Sequence, residues 1–240
     1  MDYEELSYSS LSRQEQLQSS LAFPVLMRKV YLWMALAMVI TGLTSYYVAT
    51  SPALLEMIYT NSVVLWGLII GELALVFGLS AAINKLSLPV ATLMFVLYSV
   101  VNGATLSFVF LVYTETSIVS VFGITAITFA AMAAYGYFTK KDLTSWGGIL
   151  FMGLIGIIVA SIVNIFVKSS GMNLIISYIG VLLFVGLTAY DSQKIKEMLM
   201  QAPDAGEGMQ KLALLGALSL YLDFINLFLY LLRILGSSRD

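Results

Sequence analysis

Seven runs of apolar residues, each about twenty residues long, constrain this chain more than any other feature: Val30–Ala49, Ser62–Ile83, Leu88–Val112, Ser117–Phe138, Trp146–Val167, Met172–Asp191 and Leu212–Leu232. A helix rises about 1.5 Å per residue, so each run is long enough to cross the hydrocarbon core of a bilayer. The alternative spanning structure, a closed β-barrel, needs alternating segments of about ten residues, whereas these runs are apolar on every face. The expected fold is all-α and polytopic, a seven-transmembrane-helix bundle. Composition agrees, with 60% hydrophobic residues, 11% charged residues and a mean hydropathy of +0.92, against about 25% charged in a soluble domain.

Three parts follow: a polar N-terminal tail over 1–29, the transmembrane domain over 30–235 and a short C-terminal tail over 236–240. The tail lacks a small-residue cleavage site after an apolar run, so no cleaved signal peptide is expected. Short connections at Ser51-Pro52, Leu88-Pro89, Lys140-Lys141-Asp142 and Ser170-Gly171 predict antiparallel neighbours, and the stretch from Ser192 to Lys211 is read as the one long loop. Arg13, Arg28, Lys29, Lys85, Lys140, Lys141, Lys194, Lys196 and Lys211 fall on one side of such a bundle, and only Lys168, Arg233 and Arg239 on the other. Positive charge marks the cytoplasmic side, which puts the N-terminus in the cytoplasm and the C-terminus outside.

The chain contains no Cys and no His, which excludes disulfides, thiol chemistry, a haem axial His and a Ser-His-Asp triad. A net charge of −2 without a basic patch argues against nucleic acid. A retinal protein would need a Lys within the last span, and none follows Lys211. No enzyme activity and no resident cofactor are expected; an aspartyl protease would rest on Asp191 and Asp223 alone.

Most charges belong to loops and tails, where solvation explains them. Glu72 and Asp223 sit near the middle of spans two and seven, Asp191 at the inner end of span six and Arg233 at the outer end of span seven. An ionisable residue at bilayer depth costs at least about 2.5–3.5 kcal/mol on insertion scales, so it normally faces the protein interior with a partner or a function. In span seven Gly216, Ser219, Asp223, Asn226, Tyr230 and Arg233 recur at spacings of three or four and form one stripe. Ser219, Asn226 and Tyr230 are expected to hydrogen-bond neighbouring helices. Asp223 carries a charging cost that an Asn would avoid, and so is read as functional. Span two carries Gly67, Gly71, Ala74, Gly78 and Ala82, small residues expected to admit a neighbouring helix closely. Glu72 needs a proton or a cation, and Arg233, the only intramembrane base, is its expected partner.

Gly186-Leu187-Thr188-Ala189-Tyr190-Asp191 with Gln193-Lys194-Ile195-Lys196, and the run from Leu220 to Arg233, resemble the last two spans of the Bax inhibitor-1 family. Arg28-Lys29-Val30-Tyr31 and Glu72 in Gly-Glu-Leu-Ala are similar too, and the resemblance covers roughly residues 25 to 236. It implies a bundle whose seventh helix is wrapped by the other six, and a pH-dependent cation leak, chiefly for calcium. By motif its paired-aspartate sensor falls on Asp191 and Asp223, and its buried ion pair on Glu72 and Arg233. Where the family's bacterial calcium-leak member has an Arg near the inner end of span two, the nearest base here is Lys85, the candidate latch.

Two carboxylates at low dielectric cannot comfortably both ionise, so one proton is shared between them, and a proton sensor needs no His. A dianion would attract calcium, with Asp191, Asp223 and hydroxyls such as Thr188 as candidate oxygen ligands. The expected partners are the lipid bilayer and calcium ions. The alternatives are a non-conducting regulator that binds another membrane protein, such as a protease or cell-death factor, and a proton-coupled transporter. A bacterial inner membrane is the expected location.

Overall fold

The computed structural model describes residues 3–239, with side chains from residue 21 onward. Among them the elements are α1 (Tyr3–Ala49), α2 (Pro52–Tyr59), α3 (Ser62–Ala82), α4 (Leu88–Leu106), α5 (Val109–Val112), α6 (Glu115–Phe138), α7 (Thr144–Val167), α8 (Ser170–Met200) and α9 (Glu207–Leu235). Seven stretches are long and apolar enough to cross a membrane: Leu21–Ala49, Ser62–Ala82, Leu88–Val112, Glu115–Phe138, Thr144–Val167, Ser170–Met200 and Glu207–Leu235. The expected all-α bundle is therefore observed.

The boundaries differ in informative ways. α1 is already helical across most of what the sequence marks as a polar tail, with Pro24 inside it. The expected long loop after Asp191 is mostly helix, because α8 continues to Met200. Its extension is tied down by polar bonds that apolar periodicity does not reveal. Gln193 accepts from the Leu143 N–H at 2.8 Å and donates to the Lys141 carbonyl at 2.8 Å. Lys196 donates to the Tyr137 carbonyl at the end of α6, at 2.8 Å. The third span breaks at Ser107-Phe108 into α4 and α5, which frees backbone carbonyls inside an apolar slab. Tyr59, on the unanticipated helix α2, donates its hydroxyl to the Thr105 carbonyl at 3.0 Å and so satisfies one of them.

α9 is the central helix. It packs against α8, α1, α6 and α4, and Leu214, Ala217, Leu220, Tyr221 and Leu227 on it are fully buried. α3 and α7 lie mostly exposed at the periphery, α3 packed on α4 and α7 on α8. The direct wrapping of the last helix is thus the work of four neighbours, with α3 and α7 outside them.

The close crossings are not where the small residues of span two suggested. Gly67 and Gly71 have open space where a Cβ would project, and Gly78 meets only the end of Met94. The tight approaches are Gly103 of α4 against Thr41 of α1, and Gly136 of α6 against the Ala189 backbone of α8. A methyl at position 136 would collide with backbone that cannot yield. Gly136→Ala should destabilise the bundle by about 1–3 kcal/mol through overpacking, whereas Gly71→Ala should be neutral or stabilising by about 0.5–1 kcal/mol. Thermal melting of the two purified variants in detergent checks the contrast; equal melting points would refute it.

One end of the bundle carries the lysine-rich connections. Lys29 donates to Gln210 Oε1 at 2.6 Å, Lys211 to the Leu86 carbonyl at 2.9 Å, and the Leu88 N–H to Glu207 Oε1 at 2.8 Å. The Thr144 hydroxyl and backbone N–H hold the exposed Asp142 carboxyl below the usual carboxylate range. At the opposite end the C-terminal segment is not a free tail. Ser237 and Arg239 bond to the α5–α6 corner, with Thr114 N–H to the Ser237 carbonyl at 3.2 Å and Arg239 N–H to the Val112 carbonyl at 2.8 Å.

Candidate functional site

A cavity of about 600 Å³ lies between α3, α7, α8 and α9, and three acids line it, the buried Asp223 and the half-buried Glu72 and Asp191. Each arrives by simple helical geometry. Glu72 is the midpoint of α3. Asp191 stands on α8 well before its end, and Asp223 lies near the middle of α9. The i, i+3, i+4 spacing of the α9 stripe delivers Ser219, Asn226 and Tyr230 to the same cavity. Four of the six residues of the expected stripe therefore face one space, while Gly216 packs on Ile195 and Arg233 lies outside it.

Asp223 is only 5% exposed, and its Oδ2 is buried with no hydrogen-bond partner. Asp191 is close enough for its charge to act on Asp223, and the charge acting on Asp191 in turn is that of Lys194, three residues along the same helix. Lys194 is exposed and also sits over the Tyr190 ring at 5.7 Å. The aspartates expected to form a pair are thus brought together.

Two expectations about basic partners are not met. Lys85 is exposed in the α3–α4 turn and is not placed against either aspartate; the base whose charge acts on Asp191 is Lys194. Glu72 and Arg233 are not joined. Ten residues separate Arg233 from Asp223, which places it about 15 Å farther along α9. There it is exposed, in the last turn, with its guanidinium over the Tyr230 ring at 5.4 Å, a favourable place for a cation at a helix C-terminus. Glu72 Oε1 instead has no partner, and its carboxylate lies near Thr105 and Asn102 of α4.

The hydroxyl and amide groups follow the expectation only in part. Asn226 donates to the Leu222 carbonyl of its own helix at 2.8 Å rather than to a neighbour. Tyr230 reaches across toward Ser161 of α7, stacks on Phe184 with ring centroids 5.8 Å apart, and fills the space a side chain at Gly180 would need. Thr188 is fully buried, bonds the Phe184 carbonyl at 2.7 Å and does not line the cavity, so it is no candidate ligand. No group of three or more carboxylates among the described residues converges tightly enough to hold a metal ion. A calcium ion at Asp191 and Asp223 would draw most of its six to eight oxygens from water or backbone.

Behind the cavity lies a polar network that sequence reading missed. The Tyr221 hydroxyl donates to Asn102 Oδ1 at 2.9 Å and lies 2.7 Å from the Thr41 hydroxyl. Thr41 also bonds the Ser99 carbonyl at 2.9 Å. Tyr98 packs edge-on against Tyr221, at 5.9 Å between centroids, and lines the cavity. The available signal was Ser99, Asn102 and Thr105 at three-residue spacing within span three.

An all-α membrane bundle that gathers buried carboxylates around a central C-terminal helix is one recognisable class of polytopic protein. The family model described as inhibitor of apoptosis-promoting Bax1 matches residues 24–240, and the chain belongs to the Bax inhibitor-1 family. It is 52% identical over 214 residues to inner membrane protein YbhL of Escherichia coli, covering 89% of this chain and 92% of that protein. Uncharacterised proteins of Borreliella burgdorferi and Rickettsia prowazekii are 47% and 42% identical, covering 88% and 89% of this chain and 91% and 90% of their own lengths.

Proposed function

We propose that the chain is a pH-regulated calcium leak channel in which Asp191 and Asp223 are the proton sensor and gate. One observation carries this reading: two mutually interacting aspartates line one cavity, and Asp223 presents there a buried carboxylate oxygen without a partner. Lowering the pH adds a proton to the pair and removes negative charge from the cavity; raising it restores a charge that favours a cation. Lys194 modulates Asp191 electrostatically in place of the expected latch. The reading assigns no catalytic step and no cofactor to the chain.

Calcium efflux from liposomes containing the purified protein tests it. Asp191→Asn removes one of the two titrating groups and should flatten the response of efflux to pH. An Asp191→Asn profile that overlays the wild type would overturn the assignment.

The location follows from the lysine-rich end. With nine of the twelve Lys and Arg on that side, we place it in the cytoplasm of a bacterium, with the C-terminal segment outside the inner membrane. The name of the Escherichia coli relative supports the membrane. In this Cys-free chain, Ser238→Cys should react with an impermeant maleimide added to intact spheroplasts, and Ser87→Cys should not. The opposite pattern would invert the orientation.

A further inference from the structure

The acid cavity suits a larger guest than a bare ion. Its volume of about 600 Å³ lies in the range of pockets that enclose organic molecules, roughly 300–1,000 Å³. Its polar lining holds three acids, Glu72, Asp191 and Asp223, beside hydroxyls such as Ser161 and Ser219; Glu72 and Asp223 each present a buried, unpartnered carboxylate oxygen, and Asp223 is 5% exposed. Asn226 uses one of its two side-chain N–H groups on the Leu222 carbonyl and lines the same space. No Lys or Arg lines the cavity. Its other side is apolar, formed chiefly by the α7 face of Leu154, Ile157 and Ile158.

The cavity also has a door to the lipid. α3 packs on α4 and α7 on α8 rather than on each other. Leu73 and Phe77 of α3, and Ile158 and Ile162 of α7, line the cavity yet are 50–68% exposed on the outer surface of the bundle. A molecule already dissolved in the bilayer can reach Glu72 and Asp223 between these side chains without crossing a polar end of the bundle.

We propose that this cavity is a binding site for an amphiphilic organic cation, entering from the lipid between α3 and α7, with its ammonium between Glu72 and Asp223 and its apolar chain along α7. A primary ammonium carries three donors, for which the carboxylates of Glu72 and Asp223 lining the cavity offer acceptors. It supplies the counter-charge that Arg233 does not, so two buried carboxylate oxygens that otherwise lack partners become satisfied. The Tyr98 ring bordering the cavity adds an aromatic surface favourable to a cation. An anionic amphiphile would meet like charge, and a neutral one would leave both acids without a counter-charge.

The experiment uses the full chain in zwitterionic phosphatidylcholine nanodiscs with radiolabelled dodecylamine as probe and dodecanol as its uncharged counterpart of equal chain length. Saturable dodecylamine binding and a raised melting temperature are expected, with neither produced by dodecanol. Glu72→Gln and Asp223→Asn should each weaken binding by roughly tenfold or more, and Arg28→Ala, outside the cavity, should leave it unchanged. Ile158→Trp, at the lipid-facing door, should slow probe exchange, which keeps the test alive if an acid variant fails to fold. Non-saturable uptake, equal effects of amine and alcohol, or a cooperatively melting Glu72→Gln that binds like wild type would overturn the proposal. Binding is read without an ion gradient, so the result stands whether or not the chain conducts calcium.

Discussion

Asp223→Asn should leave a folded protein whose calcium leak no longer responds to pH. The substitution keeps the size of the side chain and removes its titrating group. It also removes the charge felt between Asp191 and Asp223, so Asp191 then titrates alone with Lys194 beside it. The shared proton ceases to exist, and with it the coupled step that a pair provides. Asparagine also relieves the cost of an ionisable group at the most buried helix of the bundle, so the variant should melt at or above the wild-type temperature. Stability and pH response therefore move in different directions, which separates sensing from folding. A steep pH profile retained in Asp223→Asn would mean that the sensor lies elsewhere.

The second large effect concerns Tyr221. Its side chain is fully buried, packs edge-on against Phe95 and Tyr98, and bonds Asn102 and Thr41. It joins α9 to α4 and α1 at the level of Glu72. Tyr221→Ala should cost about 3–5 kcal/mol, the range for removing a large buried aromatic. Tyr221→Phe keeps the ring and leaves Asn102 Oδ1 without its donor, for about 1–3 kcal/mol. Thermal melting followed by tryptophan fluorescence in detergent gives the ranking: wild type, then Phe, then Ala. An Ala variant that melts with the wild type would show that the network does not brace the bundle.

What could be read from the sequence follows from the physics of each signal. The spans were legible because a run of about twenty apolar residues has few other fates. The α9 stripe was legible because helical periodicity alone decides which residues share a face. The partnership of Asp191 and Asp223 came from the family-like motifs, since nothing in their spacing places two helices side by side. The Glu72–Arg233 pair, reached by elimination and implied by the resemblance, required Arg233 to reach inward from the outer end of span seven; its guanidinium instead stays at that end, over the Tyr230 ring. The α8 extension was hidden because Gln193 and Lys196 stabilise it through loop carbonyls, which leave no apolar trace. The true close crossings at Gly103 and Gly136 were passed over for Gly67 and Gly71, whose spacing is as good but whose face meets no helix. Small residues permit an approach; only the packing of the whole bundle decides which permission is used.

The central claim is that this chain itself forms a calcium path controlled by protonation of a buried aspartate pair. Calcium efflux from dye-loaded liposomes carrying the purified wild-type protein, compared with protein-free liposomes from mildly acidic to mildly alkaline pH, tests it most directly. The account predicts protein-dependent efflux that changes sigmoidally with pH. Efflux indistinguishable from protein-free liposomes at every pH would contradict it.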